Sequence, residues 1–348
     1  MLKTALGLPV RSKTWIKAWE GFFARRQTLY VCVILATSLI AGVYQFRTHT
    51  IFSCQATGYS VDRYLAYCHV TNYAEYEHGA FYFDLEPSAQ NFARNANVLF
   101  LGNSRLQVAF STVATADWFS AASALYYLLG FSYFENVVFA EELLRRIHPQ
   151  ARVYVINLDR FFERSKSPPV KTIVHDPGAG HRYEVKRLWQ HLHEPICKSF
   201  AALCGSKFVI FRSRETGAYY TEGAFEWNST PVSYDPAIDQ GVVRRSTAVA
   251  SDFLSHFAPG KCVILTMVPF VGTKIAEANA IATALGMKLV TPEIVEGLRT
   301  YDGYHLDQPS AQRWSQAFFK AAASELRLCL GEEVAPRSQA SSPKSLVQ

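Results

Sequence analysis

The sequence contains no Cys-x-x-Cys pair, no internal repeat and, beyond residue 28, almost no excess of either charge. The first absence removes the ligand spacing of an ordinary zinc site. The second sets aside a repeat architecture. The third matters because a net charge of +6 resembles that of a nucleic-acid binder. Lys3, Arg11, Lys13, Lys17, Arg25 and Arg26 stand in the first 28 residues against the single acid Glu20, and the rest of the chain is close to neutral. A basic balance confined to one terminus is no electrostatic footprint for the main domain, so no nucleic-acid partner is expected. At 49% apolar and 18% charged residues the chain is also far from a polytopic membrane protein. Its length suffices for one large core or two smaller ones.

Charge is missing altogether from one place. Between Arg26 and Arg47 runs QTLYVCVILATSLIAGVYQF, residues 27–46. At about 1.5 Å rise per residue it spans roughly 30 Å, the hydrocarbon thickness of a bilayer. Tyr30 and Tyr44 sit near its ends, where interfacial aromatics collect. The segment in front is too long, and the run too extended, for a cleaved signal peptide. The expectation is a basic cytoplasmic tail (1–26), one transmembrane helix (27–46) in the lipid bilayer of the inner membrane and, by the positive-inside rule, a periplasmic main domain. Of seven cysteines, Cys32 lies within the span, and the other six permit three disulfides in an exported domain. Local spacing favours Cys54–Cys68 and Cys197–Cys204, which leaves Cys262–Cys329.

Residues 47–95 are aromatic-rich and irregular and read as a linker and cap. From 96 to 330 apolar runs alternate with helical patterns. Strands are expected at NVLFLG (97–102), RVYVINL (152–158), KCVILTMV (261–268) and MKLVT (287–291). They lack strict alternation, as strands buried on both faces do. Helices are expected at 133–148, 243–257, 272–286 and 310–328. This order predicts an α/β fold of three layers around a parallel sheet. Residues 165–240 interrupt it as an insertion, with a helix through HRYEVKRLWQHLHEPICKSFAALCG and a hairpin of KFVIFR and AYYTEGAFEW, whose aromatics suit either sugar stacking or packing. Insertions at a sheet's carboxyl edge often shape clefts. The polar tail, 331–348, is expected to be disordered.

The strand at 97–102 stops abruptly in GNSR, residues 102–105. Gly-Asn-Ser is ordinary turn chemistry, but open α/β sheets also place their sites at carboxyl strand ends. A serine hydroxyl needs a base to take its proton, and a histidine needs a carboxylate to fix its tautomer. Near the other end stands YDGYHLDQPSAQRW, where Asp302 and His305 lie three residues apart in a loop before the last helix. One short turn can present both to the same point. Asp307 competes as the acid, and the three-residue spacing favours Asp302. His181, His191 and His193 make a weaker set, because histidines two apart on a helix face different ways, so no metal and no cofactor is expected.

With GNSR after the first core strand and DGYH before the last helix, residues 96–328 resemble the SGNH, or GDSL-like, hydrolase superfamily. The resemblance implies a flavodoxin-like domain in which Ser104 is the nucleophile, His305 the general base and Asp302 its orienting carboxylate. It further implies an oxyanion hole built from the serine amide, a glycine amide and an asparagine side chain. For the glycine, Gly130 is the candidate, with Ala121 or Ala122 as alternatives. For the asparagine, Gly-x-Asn-Asp is missing and VINLDRFF stands in its place, offering Asn157, with Asp159 nearer the strand end. Asn103 replaces the aspartate common in the first motif, and Arg105 is placed either to meet an anionic substrate or to pair with Asp159. These departures are similar to those of membrane-anchored O-acyltransferases of bacterial cell envelopes. That branch implies an acyl group passed through Ser104 to a glycan, in partnership with a membrane-bound O-acyltransferase. A non-catalytic binding or assembly component of the same fold is the alternative.

Overall fold

The computed structural model describes residues 13–70, 73, 75–223 and 228–331. The tail beyond Gly331, and Phe225 and Trp227 of the expected hairpin, lie outside the described residues. Helix α1 (Lys13–His49) leads to β1 (Arg63–Cys68), α2 (Tyr76–Tyr82) and α3 (Ala89–Asn95). The core begins with β2 (Val98–Asn103), α4 (Ser104–Phe110), α5 (Val113–Ala121), β3 (Tyr126–Phe131), α6 (Val137–Ile147) and β4 (Val153–Asn157). Next come α7 (Pro168–His175), α8 (Ala179–Ser199), β5 (Val209–Ser213), β6 (Tyr219–Glu222) and the two-residue β7 (Thr230–Pro231). The core resumes with α9 (Gln240–Phe257), β8 (Cys262–Thr266) and α10 (Ile275–Ala284). The short β9 (Arg299–Thr300) precedes the last helix, α11 (Gln308–Leu330).

Alternate residues of the central strands enter two different cores, as the two-residue period of a strand requires. Val98, Phe100, Val155 and Ile264 meet Leu106, Phe110, Trp314 and Phe318 of α4 and α11. Leu99, Leu101, Leu129 and Ile156 meet Phe139 and Leu143 of α6, Phe253 of α9 and Ile281 of α10. Helices therefore cover both faces of a parallel four-stranded sheet in the order β3-β2-β4-β8. Counting core strands alone, this is the order 2-1-3-4 of a doubly wound sheet.

Two expectations change. MKLVT forms no strand: its only ladder contact is a single parallel bridge, Leu265 to Leu289, at the sheet's edge. Conversely YYLLGF, residues 126–131, is the edge strand β3, paired residue for residue with β2 from Val98↔Tyr126 to Asn103↔Phe131. The helix expected from 133 starts at 137, because Tyr133 and Phe134 have φ of 60° and 53°, outside the helical region. Asn136 caps it by accepting a hydrogen bond from the Val138 N–H.

A second, antiparallel sheet, β1-β5-β6, joins the segment after α1 to the insertion. In its middle Arg212 is fully buried. Its guanidinium donates to Glu77 Oε2 (3.0 Å) and to the Leu128 carbonyl of β3 (2.6 Å), and Tyr219 OH donates to the same Glu77 oxygen (2.5 Å). Disulfides join Cys54–Cys68 and Cys197–Cys204, the pairs that spacing favoured, and Cys262–Cys329, the pair that those two left. The last ties the first residue of β8 to the final turns of α11. His193 is buried under this sheet, with Tyr59 OH 3.1 Å from Nδ1 and the Cys54 carbonyl 3.3 Å from Nε2. Within α1, Arg26–His49 is long and apolar enough to cross a membrane, with an 18-residue window of mean hydropathy 1.9 in which no residue is buried.

Candidate active site

The site forms where β2 turns directly into α4. Gly102 permits the turn, since a Cβ there would come within 2.9 Å of Leu106 Cβ. Asn103, in extended backbone, caps the helix by accepting from the Arg105 N–H (3.0 Å). Its amide nitrogen donates to the Asp159 carbonyl (3.2 Å) and to Asp159 Oδ2 (3.0 Å). Arg105 donates to the same carboxylate oxygen and lies 3.7 Å over the Phe270 ring. Asn103 and Arg105, 1% and 4% exposed, therefore brace the corner. Arg105 takes the second of its two expected roles, the pairing with Asp159, while its Nε has no hydrogen-bond partner among the described residues and its side chain lines a pocket with Phe270 and Lys274. Ser104 is left at the first position of α4, at the positive end of the helix dipole, where the backbone N–H has no intrahelical acceptor.

The loop between β9 and α11 supplies the rest. Asp302 Oδ1 accepts from the backbone N–H groups of Tyr304 (2.9 Å) and His305 (2.8 Å), while Oδ2 lies 2.6 Å from His305 Nδ1. Gly303, at φ 84°, makes this tight turn accessible. His305 Nε2 reaches Ser104 Oγ at 2.8 Å. Tyr301 stacks on the imidazole, with ring centroids 5.5 Å apart and planes 16° from parallel. Burial of the Asp302 carboxyl works against its charge, but hydrogen bonds from the His305 ring and from the two amides outweigh it and hold the group below the usual carboxylate range. An ionised Asp302 fixes the proton on Nδ1, so Nε2 is the acceptor facing the serine hydroxyl. Asp307 is occupied elsewhere, capping α11 at the Ser310 N–H (2.9 Å).

The expected oxyanion donors do not converge with this line. Gly130 lies within β3, opposite Gly102, and its N–H donates to Gln107 Oε1 (3.0 Å). It is glycine because a Cβ would meet the Asn103 carbonyl at 2.7 Å and Gln107 Cβ at 2.8 Å. Ala121 and Ala122 end α5 before the amino end of β3, whereas Ser104 follows the carboxyl end of the parallel neighbour β2. Asn157 is fully buried, its Oδ1 accepts from the Val268 N–H (3.0 Å), and its Nδ2 is closed off from solvent with no partner among the described residues. Sequence reasoning missed a different feature, the turn after β3 with Tyr133 and Phe134 in left-handed backbone. The Phe134 ring lies 6.1 Å from that of Tyr304, so the turn borders the site. Tyr and Phe are not turn formers, and nothing in the pattern announces it.

A groove of about 350 Å³ runs along the face of α4 marked by Val108 and Ser111, one and two turns beyond Ser104. Tyr301, Tyr219, Thr221 and Gln308 line it together with apolar residues such as Ile210 and Leu306, mixing aromatic rings with hydroxyl and amide groups. Compared with protein-family models, with curated proteins and with solved structures, the chain matches none of them.

Proposed function

We propose that this protein is a membrane-anchored, exported serine acyl-transfer enzyme of the SGNH type, an O-acetyltransferase or esterase acting on a cell-envelope or secreted glycan. The observation that carries the reading is the hydrogen-bonded line Ser104–His305–Asp302, assembled from two ends of the chain with both contacts within 2.8 Å. Ser104 Oγ attacks the acyl carbonyl as His305 Nε2 takes its proton, and Asp302 stabilises the imidazolium. His305 then gives that proton to the departing alkoxide, leaving acyl-Ser104. An acceptor hydroxyl reverses the steps, and its identity decides between esterase and transferase. The Ser104 amide at the start of α4 and the backbone of the Tyr133–Phe134 turn are the donors we assign to the oxyanion. Each well-placed donor contributes about 3–4 kcal/mol. Aromatic and hydroxyl groups in the adjoining groove suit a sugar ring, and three disulfides suit an oxidising compartment. A membrane-bound O-acyltransferase fits as the source of the acyl group.

The alternative, a non-catalytic binding component, draws on one observation: Gly130 and Asn157 are both committed to structural bonds. A fluorophosphonate probe on the membrane-embedded full chain separates the two. Labelling of wild type that is lost in Ser104→Ala and His305→Ala supports the enzyme, and weak ester turnover beside it favours transfer. A folded wild type that neither labels nor traps an acyl group, even in membranes holding the acyltransferase partner, leaves the binding reading.

A further inference from the structure

The groove beside the triad is not the sole hollow among the described residues. A cavity of about 710 Å³ lies at the foot of α1, walled on one side by Phe46, Thr50 and Phe52 and on the other by Tyr183, Lys186 and Trp189 of α8. Phe46 stacks on Phe52 at 4.1 Å, and Phe52 meets the edge of Trp189 at 6.4 Å, so α8 is held against the last turn of the apolar helix. The segment after α8 is tied to the same level: Arg47 donates to the Cys204 carbonyl (3.2 Å) and Lys207 to that of Thr48 (2.9 Å).

Helix α8 has two apolar faces where one would serve. Tyr183, His193 and Cys197 point into the domain. Val185, Leu188, Trp189 and Leu192, spaced i, i+3, i+4, i+7, are between 40% and 58% exposed. Such a stripe costs solubility in water but is the pattern of a helix lying in a membrane interface. Lys186 opens into the cavity beside it. Its ammonium lies 4.9 Å from the Tyr183 ring and has no carboxylate within ion-pair distance among the described residues, although Glu75 shares the wall. Burial lowers its pKa, and that cost is relieved by an anion. Arg182, on the same rim, is already paired with Asp176.

We propose that this cavity is a phospholipid site, with an anionic headgroup phosphate at Lys186, acyl chain along Phe46, Phe52 and Trp189, and the exposed stripe of α8 resting on the leaflet around it. The occupant is a lipid because the cavity opens where the helix that crosses the bilayer ends, so acyl chains are the neighbouring apolar phase. This rests on the reading of α1 as an anchor and is independent of the chemistry at Ser104.

The test reconstitutes the full chain in phosphatidylcholine vesicles doped with dibrominated phosphatidylglycerol or, at equal mole fraction, dibrominated phosphatidylcholine. The fluorescence difference between wild type and Trp189→Phe isolates the Trp189 signal. The expected result is several-fold stronger quenching of that signal by the glycerol lipid, abolished in Lys186→Glu and in Lys186→Met, with fluorophosphonate labelling of Ser104 unchanged. Equal quenching by both lipids overturns the site and leaves a bare surface contact. Relief by soluble glycerol 3-phosphate reassigns it to a free phosphate. No quenching in a chain that resists carbonate extraction means that water or a protein partner covers the face. Release by carbonate removes the anchor reading itself, and this inference with it.

Discussion

The two larger sheets of this protein are held by different chemistry. In the parallel sheet, Val, Ile, Leu and Phe fill both faces, and Asn103, Asn157 and Thr266 come only at the carboxyl ends of their strands. In the antiparallel sheet, the middle strand buries Arg212 and relies on Glu77 of α2 to neutralise it. The parallel sheet closes by apolar burial, so the polar groups at its strand ends are available for bracing and for the chemistry proposed above. The smaller sheet must bring residues 63–68 against 209–213, distant in sequence. A buried ion pair adds little over an apolar pair of the same size, but it is expensive to break, so it penalises a wrong register. Removing a polar group is therefore expected to cost chemistry at one sheet and folding at the other.

The largest effect tests the first half of that contrast. Asp302→Asn is expected to lower ester turnover and probe labelling by about 10⁴-fold through the wrong imidazole tautomer, with the unfolding midpoint almost unmoved. A large loss of stability in this variant would make the loop a structural device instead. Next comes the second half. Glu77→Ala leaves Arg212 buried without its carboxylate and is expected to cost about 3–5 kcal/mol in denaturant unfolding. Glu77→Leu combined with Arg212→Met should recover only part of it, because Tyr219 OH, Ser132 and the Leu128 carbonyl lose their partners, and the folded fraction should label at the wild-type rate.

The disulfides sharpen the comparison further. Cys262–Cys329 closes a separation of 67 residues across the parallel domain, and Cys197–Cys204 one of 7. The chain-entropy account gives roughly 4 kcal/mol for the first and about 2 kcal/mol for the second, readable from paired Cys→Ser variants. The smallest effect is in pH. Burial lowers the His193 pKa from 6.5 to about 4. Between those values the unfolded chain binds a proton that the native state refuses, so stability falls as pH drops through the window. At pH 5 the loss is about 2 kcal/mol relative to neutral, and thermal unfolding of His193→Gln should lack that part of the slope.

What was legible in the sequence was local. VLFLGN, VYVIN and CVILT announce strands because each is apolar on both faces. The Asp302-x-x-His305 turn is visible because four consecutive residues contain all of its geometry, and the GNSR corner because an apolar run stops abruptly in turn chemistry. Where the reading failed, the cause lay across the fold. Gly130 looked like an oxyanion glycine, yet its lack of a side chain is dictated by Gln107 and the Asn103 carbonyl. YYLLGF sits in a longer apolar run whose period does not distinguish strand from helix. MKLVT has strand composition but only one neighbour at an edge. The left-handed Tyr133 and Phe134 oppose their own preferences, and only the packing around them explains the turn.

Ser104 and His305 are 201 residues apart. A ribosome-borne or prematurely terminated chain that stops short of Asp302 leaves Ser104 with neither the imidazole nor the carboxylate that line up beside it. The covalent lock on α11 comes later still, since Cys329 is among the last described residues to emerge. Contact between Ser104 and His305 therefore waits for the loop before α11, late in the order of synthesis.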